Sequence, residues 1–502
     1  MDMNNNKKKI SLATIQYAFK AIIWPRKKLL FLGLILILIN RASGLVLPGS
    51  SKYLIDDVIT KGNIDLLYIL LVVIAVAVSI QAITSFFLTR LLSVEAQYLI
   101  TRLRMQVQKH ILYLPIKFFD NSKSGELVAR IMSDVEGVRN LVGTGFVQMI
   151  GGILTSLASF IILIHINFKM TIFVLLPLIL FSLISLTAFK YIRPIFRKRW
   201  EINAEVTGRL TESLGGIRVI KGFNAEDQEI GIFRAGVEKL FNNIKKSLTA
   251  TSLVSSAAIF LLGLTSVVIM GIGGKMILQH QLTIGDFFAF ILYLGFLITP
   301  IIQMSDIGSQ ITEAFAGLDR MEETLNIKRE CEERGCSKKL VEIKGDIVFR
   351  NVSFSYNGEE QVLKNVSFGA PPGTVTALVG SSGSGKSTIA GLVASFMIPK
   401  EGTIYIDGND LSEVDIESYR SQLGVVFQDD FLFSGTIREN ILFSAPDATE
   451  EQLQQAVKAA HVQEFVKRFN KGLNTLIGER GIKLSGGQRQ RVTIARAILA
   501  DP

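Results

Sequence analysis

The stretch GSSGSGKST, Gly380–Thr388, decides how this chain is read. It fits G-x-x-x-x-G-K-[ST], with Gly380, Gly385, Lys386 and Ser387 at the fixed positions. Ser381, Ser382, Gly383 and Ser384 fill the interval, and Thr388 follows. Just before it, TVTALV (Thr374–Val379) predicts a short buried strand. Just after it, IAGLVASF (Ile389–Phe396) predicts the first turns of a helix. Strand, glycine loop and helix in that order make a phosphate cradle. Glycine lets successive backbone N–H groups turn inward toward phosphate oxygens. The helix N-terminus adds its partial positive charge. In such a cradle Lys386 reaches the β- and γ-phosphates, and the Ser387 hydroxyl ligates Mg²⁺.

Outward from this loop, the 502 residues leave room for two or three domains. The chain is 49% hydrophobic with a mean hydropathy of +0.38, too apolar for an ordinary soluble protein. Its net charge of +10 is read as basic cytoplasmic loops rather than as a nucleic-acid surface. The two cysteines, Cys331 and Cys336, make no disulfide framework, and a metal site would need two more ligands.

From the N-terminus, a polar tail precedes Leu12, Ile15, Phe19, Ile22 and Ile23 at helical spacing. With Trp24, Arg26, Lys27 and Lys28 behind them, they predict a helix lying on the membrane surface. Leu29–Leu47 is then mostly apolar. Ala42-Ser43-Gly44 resembles a signal-peptide cleavage site, but five more apolar runs follow, so the run is taken as a span. Arg41 inside it costs about 3 kcal/mol, while the Leu, Ile and Phe residues return about 4 to 5 kcal/mol. An intramembrane cation is a candidate contact for anionic amphiphiles; pairing with Asn40 or snorkelling is the alternative.

The five further runs approach the ~20 residues needed to cross a bilayer. They are Leu66–Leu88, Phe146–Ile166, Thr171–Phe189, Leu253–Leu278 and Ile284–Met304. Residues 91–140 hold seven Lys/Arg and residues 190–250 hold twelve, while the other loops are short and carry few cations. The positive-inside rule therefore puts both long loops and both termini in the cytoplasm. These loops are read as continuations of the spanning helices. Residues 327–339 read as a charged linker. From Leu340 the pattern shifts to period two and short apolar runs, the mark of an α/β domain.

Further motifs follow. Tyr356 ends the strand-like VSFSY, Gln428 sits in VVFQDD, and LSGGQ (Leu484, Ser485, Gly486, Gly487, Gln488) opens a helix-like RQRVTIARA. With these residues the chain resembles the ATP-binding cassette (ABC) transporters, specifically the exporter-type half-transporters. The resemblance covers essentially the whole chain. It implies a six-helix membrane domain joined to an α/β P-loop NTPase domain. The division follows as 1–28 tail and elbow helix, 29–326 membrane domain, 327–340 linker and 341–502 nucleotide-binding domain. It implies that Tyr356 stacks on adenine and that Gln428 joins the Mg²⁺ shell and senses the membrane domain. It implies that LSGGQ contacts the γ-phosphate held by another subunit, hence a homo- or heterodimer with two shared ATP sites. FFDNSKSGELVAR (Phe118–Arg130) and ESLGGIRVIKGF (Glu212–Phe223) resemble the two coupling helices.

One departure stands out. In the family an apolar strand ending in Asp-Glu follows the signature helix, then a switch histidine; the Asp holds Mg²⁺ through water and the Glu is the general base. This sequence stops at Asp501-Pro502. TIYIDG (Thr403–Gly408) mimics such a strand but precedes Gln428, and its Asp-Gly reads as a hairpin turn. The expectation is a fragment of a longer product, with no N-terminal peptidase segment. The expected function is ATP-driven export of lipid, drug or another amphipathic molecule across the cell membrane. An ATP-gated channel and a non-hydrolysing regulatory subunit are the rival expectations.

Overall fold

The computed structural model describes residues 24–502, apart from 121, 123, 138, 140–142, 335–337, 357–359, 479, 480 and 482. The predicted surface helix before Trp24 lies outside the described residues, as does Cys336. Each of the six apolar runs lies within one long helix. These are α1 (Lys27–Tyr53), α2 (Ile64–Leu112), α5 (Thr144–Ile166), α6 (Phe168–Gly215), α8 (Glu226–Leu278) and α9 (Ile284–Leu325). Short helices lie between them: α3 (Ile116–Asp120), α4 (Ser124–Ala129) and α7 (Ile217–Gly222). Among the described residues, four segments are long and apolar enough to cross a membrane: Trp24–Ile59, Ile64–Leu112, Val147–Ile166 and Glu226–Leu278. On α6 and α9 the apolar stretches, Phe168–Ile184 and Ile284–Pro300, are shorter.

The sequence explains these helices locally. Leu, Ile, Val and Phe dominate them, and many are exposed. Leu71, Val72, Ile83 and Phe86 on α2 are exposed, as a lipid-facing surface requires. Asn167 starts α6, its side chain accepting from the Met170 N–H at 3.0 Å. Ala42, Ser43 and Gly44 lie in mid-α1, where a cleavage site would have no extended backbone. α2 runs well past its apolar part to Leu112, and α6 and α8 extend into the second basic loop. Gly215 ends α6, and α7 turns the chain toward α8 within the second of the coupling-helix stretches.

The chain divides into two compact units. The first comprises the described residues up to Ile100 together with Glu136–Ala316. Leu163, Met170, Val174, Ile269, Phe290 and Tyr293 form its main apolar cluster. Polar side chains tie its helices where apolar packing gives no direction. Asn40 Nδ2 donates to Gln81 O at 2.9 Å and Thr84 Oγ1 at 3.1 Å, so Asn40 serves α2 rather than Arg41. The Arg41 guanidinium lies against Gly151 on α5, where a Cβ would come within 2.7 Å of it.

The second unit comprises Thr101–Val135 and Gly317–Pro502. It contains the end of α2 and the α3–α4 stretch. Arg320 grips Asp134 through two contacts of 2.5 and 2.8 Å, and Arg130 Nη1 donates to Thr324 Oγ1 at 2.9 Å. After α10 (Glu330–Arg334) comes a sheet of β1 (Ile347–Phe354), β2 (Leu363–Ala370), β3 (Glu401–Ile406) and β4 (Asn409–Asp410). The strand order is β2-β1-β3-β4 and every pairing is antiparallel. Phe349, Val352, Leu363, Leu392, Ile404 and Tyr419 pack beneath it. A helical part, α13 (Ile437–Leu442), α14 (Glu450–Ala459), α15 (Gln463–Val466) and α16 (Gly486–Leu499), has its own core around Ile441, Leu453, Val457 and Val492.

One expectation is corrected. TVTALV is neither paired nor buried; Val375 and Val379 are 100% and 94% exposed. A buried strand in the middle of a sheet needs neighbours on both sides. None of the described strands supplies one. The apolar run Val425–Phe427 is likewise exposed and outside the sheet.

Candidate nucleotide site

The loop at Gly380–Thr388 opens α11 (Lys386–Val393). Gly383 and Gly385 have φ of +82° and +88°, which only glycine adopts without strain. A Cβ on Gly385 would also lie 2.6 Å from Leu363 Cδ2, so β2 closes one side of the turn. The Lys386 ammonium folds over the loop. It donates to Gly380 O at 3.1 Å, Ser381 O at 2.7 Å and Ser384 Oγ at 3.3 Å. All three of its donors thus have loop acceptors, and phosphate oxygens would exchange for them without bringing a new cation to the site. Ser381, Ser382, Gly383, Ser384 and Ser387 are exposed, and Thr388 is buried. The donor set therefore fits a nucleotide with its cation: an accessible Ser387 hydroxyl beside the Lys386 ammonium at a helix N-terminus.

Tyr356 stands at this loop. Its hydroxyl lies 3.1 Å from Thr388 Oγ1, and its ring meets Phe354 edge-on at 5.0 Å. The ring is 48% exposed, leaving a face open for stacking. Gln428 is exposed in the turn after Phe427, and no hydrogen bond among the described residues joins it to the loop. Phe427 stacks on Phe396 at 5.6 Å, which places the Gln428 segment beside the end of α11.

The signature stretch is built differently. Leu484 is buried, anchoring the turn in the helical core. Ser485 caps α16, and Gln488 completes a reciprocal capping box with it at 2.9 and 3.4 Å. Gly486 and Gly487 have open space where side chains would stand: the nearest atom to a Cβ on Gly486 is 3.9 Å away, and Gly487 has none within 4 Å. No described residue of this chain requires those glycines. Arg489 fixes the turn from below, its Nε donating to Asp430 at 3.0 Å and Nη1 to Leu484 O at 3.1 Å.

The acidic residues nearby are committed to structure. Asp407, the end of the strand that mimics a metal-binding one, accepts from the N–H groups of Lys344, Gly345 and Asp346 at 2.7, 3.1 and 2.8 Å. With φ of +49° and +75°, Asp407 and Gly408 form the tight turn between β3 and β4. Glu439 caps α13, and the Thr436 backbone and hydroxyl hold its carboxyl below the usual range. Glu464 is held low by Arg491 and then His461. Sequence reading missed the three hydrogen bonds that Asp407 accepts and the Arg420 contacts described below. Asp-Gly signalled a turn but not its reach, and a lone arginine carries no motif.

The comparisons agree with this geometry. The profile "ABC transporter transmembrane region" matches residues 30–301, and "ABC transporter" matches 363–502. An ATP-dependent lipid A-core flippase of Desulfotalea psychrophila is 32% identical over 483 residues, covering 95% of this chain and 83% of that protein. A multidrug resistance ABC transporter ATP-binding and permease protein of Lactococcus lactis is 32% identical over 413 residues, covering 82% and 70%. A bacterial Atm1-family ABC exporter solved with ATP bound has the same fold, with a TM-score of 0.79 at 24% identity, covering 96% of this chain and 85% of that one. The chain therefore belongs to the ABC transporters, as an exporter-type half-transporter that carries its membrane-spanning region and its ATP-binding domain in one polypeptide.

Proposed function

We propose that this half-transporter pairs with a second one, homo- or heterodimeric, and exports lipid, drug-like or other amphipathic molecules from the cell's cytoplasmic side. Residues 29–326 form the membrane domain, 327–340 the linker and 341–502 the nucleotide-binding domain, with both termini cytoplasmic. Lys386 and the loop N–H groups hold the β- and γ-phosphates, Tyr356 stacks on adenine, and Ser387 with Gln428 holds Mg²⁺. The bound cation would neutralise phosphate charge. Leu484–Gln488 receives the partner's nucleotide. The general base is not assigned to any residue of this sequence, so turnover by these 502 residues alone is expected to be slow. Such a base typically contributes 10²–10⁴-fold.

The single observation carrying this reading is the pairing of a loop that fits phosphate with a capped glycine turn open to the outside. The test is ATP binding by the purified chain with and without Mg²⁺, followed by ATP-dependent crosslinking between Ser485 and Ser382 replaced by cysteines on separate copies. Binding with no such crosslink would contradict the shared site.

A further inference from the structure

The far end of the phosphate-loop helix is held by residues outside every motif. Tyr419 and Arg420 belong to α12 (Ile416–Arg420). The Tyr419 hydroxyl donates to Val393 O at 2.7 Å. Arg420 donates to Ala394 O at 3.3 Å and Ser395 O at 2.6 Å. Three carbonyls at the negative end of α11 are thereby satisfied, two of them by the charged guanidinium. The Arg420 guanidinium also lies 5.1 Å over the Phe396 ring, whose other neighbour, Phe427, precedes Gln428.

The same guanidinium grips Glu330 at the start of α10. Its Nη1 and Nη2 donate to the two carboxylate oxygens at 2.9 and 2.8 Å. The side chains are 27% and 13% exposed, so this is a shielded, two-pronged pair rather than a surface contact. Glu330 in turn gives its backbone N–H to Tyr113 O at 2.9 Å, one residue past the end of α2. Buried His110 adds a second tie: Nε2 lies 3.0 Å from Ile327 O, and Arg329 Nε donates to Nδ1 at 3.4 Å. α2 is one helix from Ile64, so what moves Tyr113 moves the end of a spanning helix.

We propose that Arg420 is a positioning residue for the nucleotide site. Through Glu330 it transmits displacement between the end of α2 and both α11 and the Gln428 segment, within one chain. Its planar fork resists shear, so α11 cannot shift on closing over phosphates without carrying Glu330. This rests on the proposed ATP site.

The test is hydrogen exchange on the full chain in phosphatidylethanolamine–phosphatidylglycerol nanodiscs, with and without Mg–ATP. In the wild type, ATP should protect residues 380–396 and also 101–113. In Glu330→Gln, ATP affinity should stay within about twofold while protection of 101–113 falls by about fivefold or more, the low end of ordinary coupling between sites. Arg420→Lys keeps the charge but gives up the fork, and should lose protection over both 101–113 and 424–428. Wild-type protection of 101–113 in Glu330→Gln would overturn the proposal. So would lost ATP affinity in that variant, which would make the pair a plain part of the domain's fold. A wild type that binds ATP without protecting 101–113 also overturns it, whereas a wild type that binds no ATP removes the proposed function itself.

Discussion

Lys386 donates to three acceptors of its own loop, and at the proposed site a nucleotide would take over those bonds. Lys386→Ala should therefore weaken ATP binding by at least about tenfold, the worth of one charge-assisted hydrogen bond. Titration calorimetry would check it, and affinity within about threefold of wild type would contradict the assigned role. Tyr419 offers a stability test. Burial pushes its pKa up to about 12, with a smaller push from Asp407. The raised value means that its contribution is complete below an unfolded pKa of about 10 and is lost as pH rises through the folded value. Tyr419→Phe should cost about 1 kcal/mol at neutral pH, from the bond to Val393 O. Denaturant melts should show that difference shrinking above pH ~10. Arg41 lies against Gly151 with neither a hydrogen bond nor an ion pair among the described residues. Arg41→Ala should reduce transport of anionic amphiphiles by a reconstituted dimer. Unchanged transport and unchanged substrate-stimulated ATP turnover would remove that role.

At the scale of elements, legibility followed periodicity. The six apolar runs announced six helices because lipid-facing helices need apolar residues all round, a signal that survives without tertiary knowledge. LSGGQ announced a helix start because Ser485 and Gln488 form a local capping box. The Asp407-Gly408 turn was legible for the same reason, since its φ values are a property of two adjacent residues. TVTALV failed because strand formation depends on partners distant in sequence, and no local pattern reports whether they are supplied. Glu330 and Arg420 were invisible for a related reason: 90 residues separate them and neither belongs to a period. Amide exchange tests the corrected element directly. Residues 374–379 should exchange within the fastest class, while Ile347–Phe354, paired on both sides in β1, should be strongly protected. Equal protection in both would mean that TVTALV is paired in solution.

At the scale of the whole molecule, the membrane domain and the nucleotide domain obey different rules of stability. The helices of the first unit are held by close approaches such as Gly151 to Arg41 and by side-chain ties such as Asn40 to α2. Among the described residues, the second unit has a water-excluding core under the sheet and another among α13–α16. Substitutions should divide accordingly: Ile441→Ala should cost about 2–5 kcal/mol in the second unit, by cavity formation. Calorimetry should register this as a lower second-unit transition. An unchanged transition would show that the helical core does not limit that unit's stability.

The open space around Gly486 and Gly487 has a further consequence. Glycine in a helix is less stable than alanine by up to about 1 kcal/mol, because its unfolded chain is freer. Both residues lie in the first turn of α16, and no atom of the described residues would obstruct a methyl group at Gly487. The solitary polypeptide thus forgoes thermal resistance that it could have at no steric cost. Gly487→Ala should melt higher by up to a few degrees, yet lose ATP-driven association with a second copy. A scan that ranked substitutions by heat tolerance would score it as an improvement, and so would overlook the part in pairing proposed for that position.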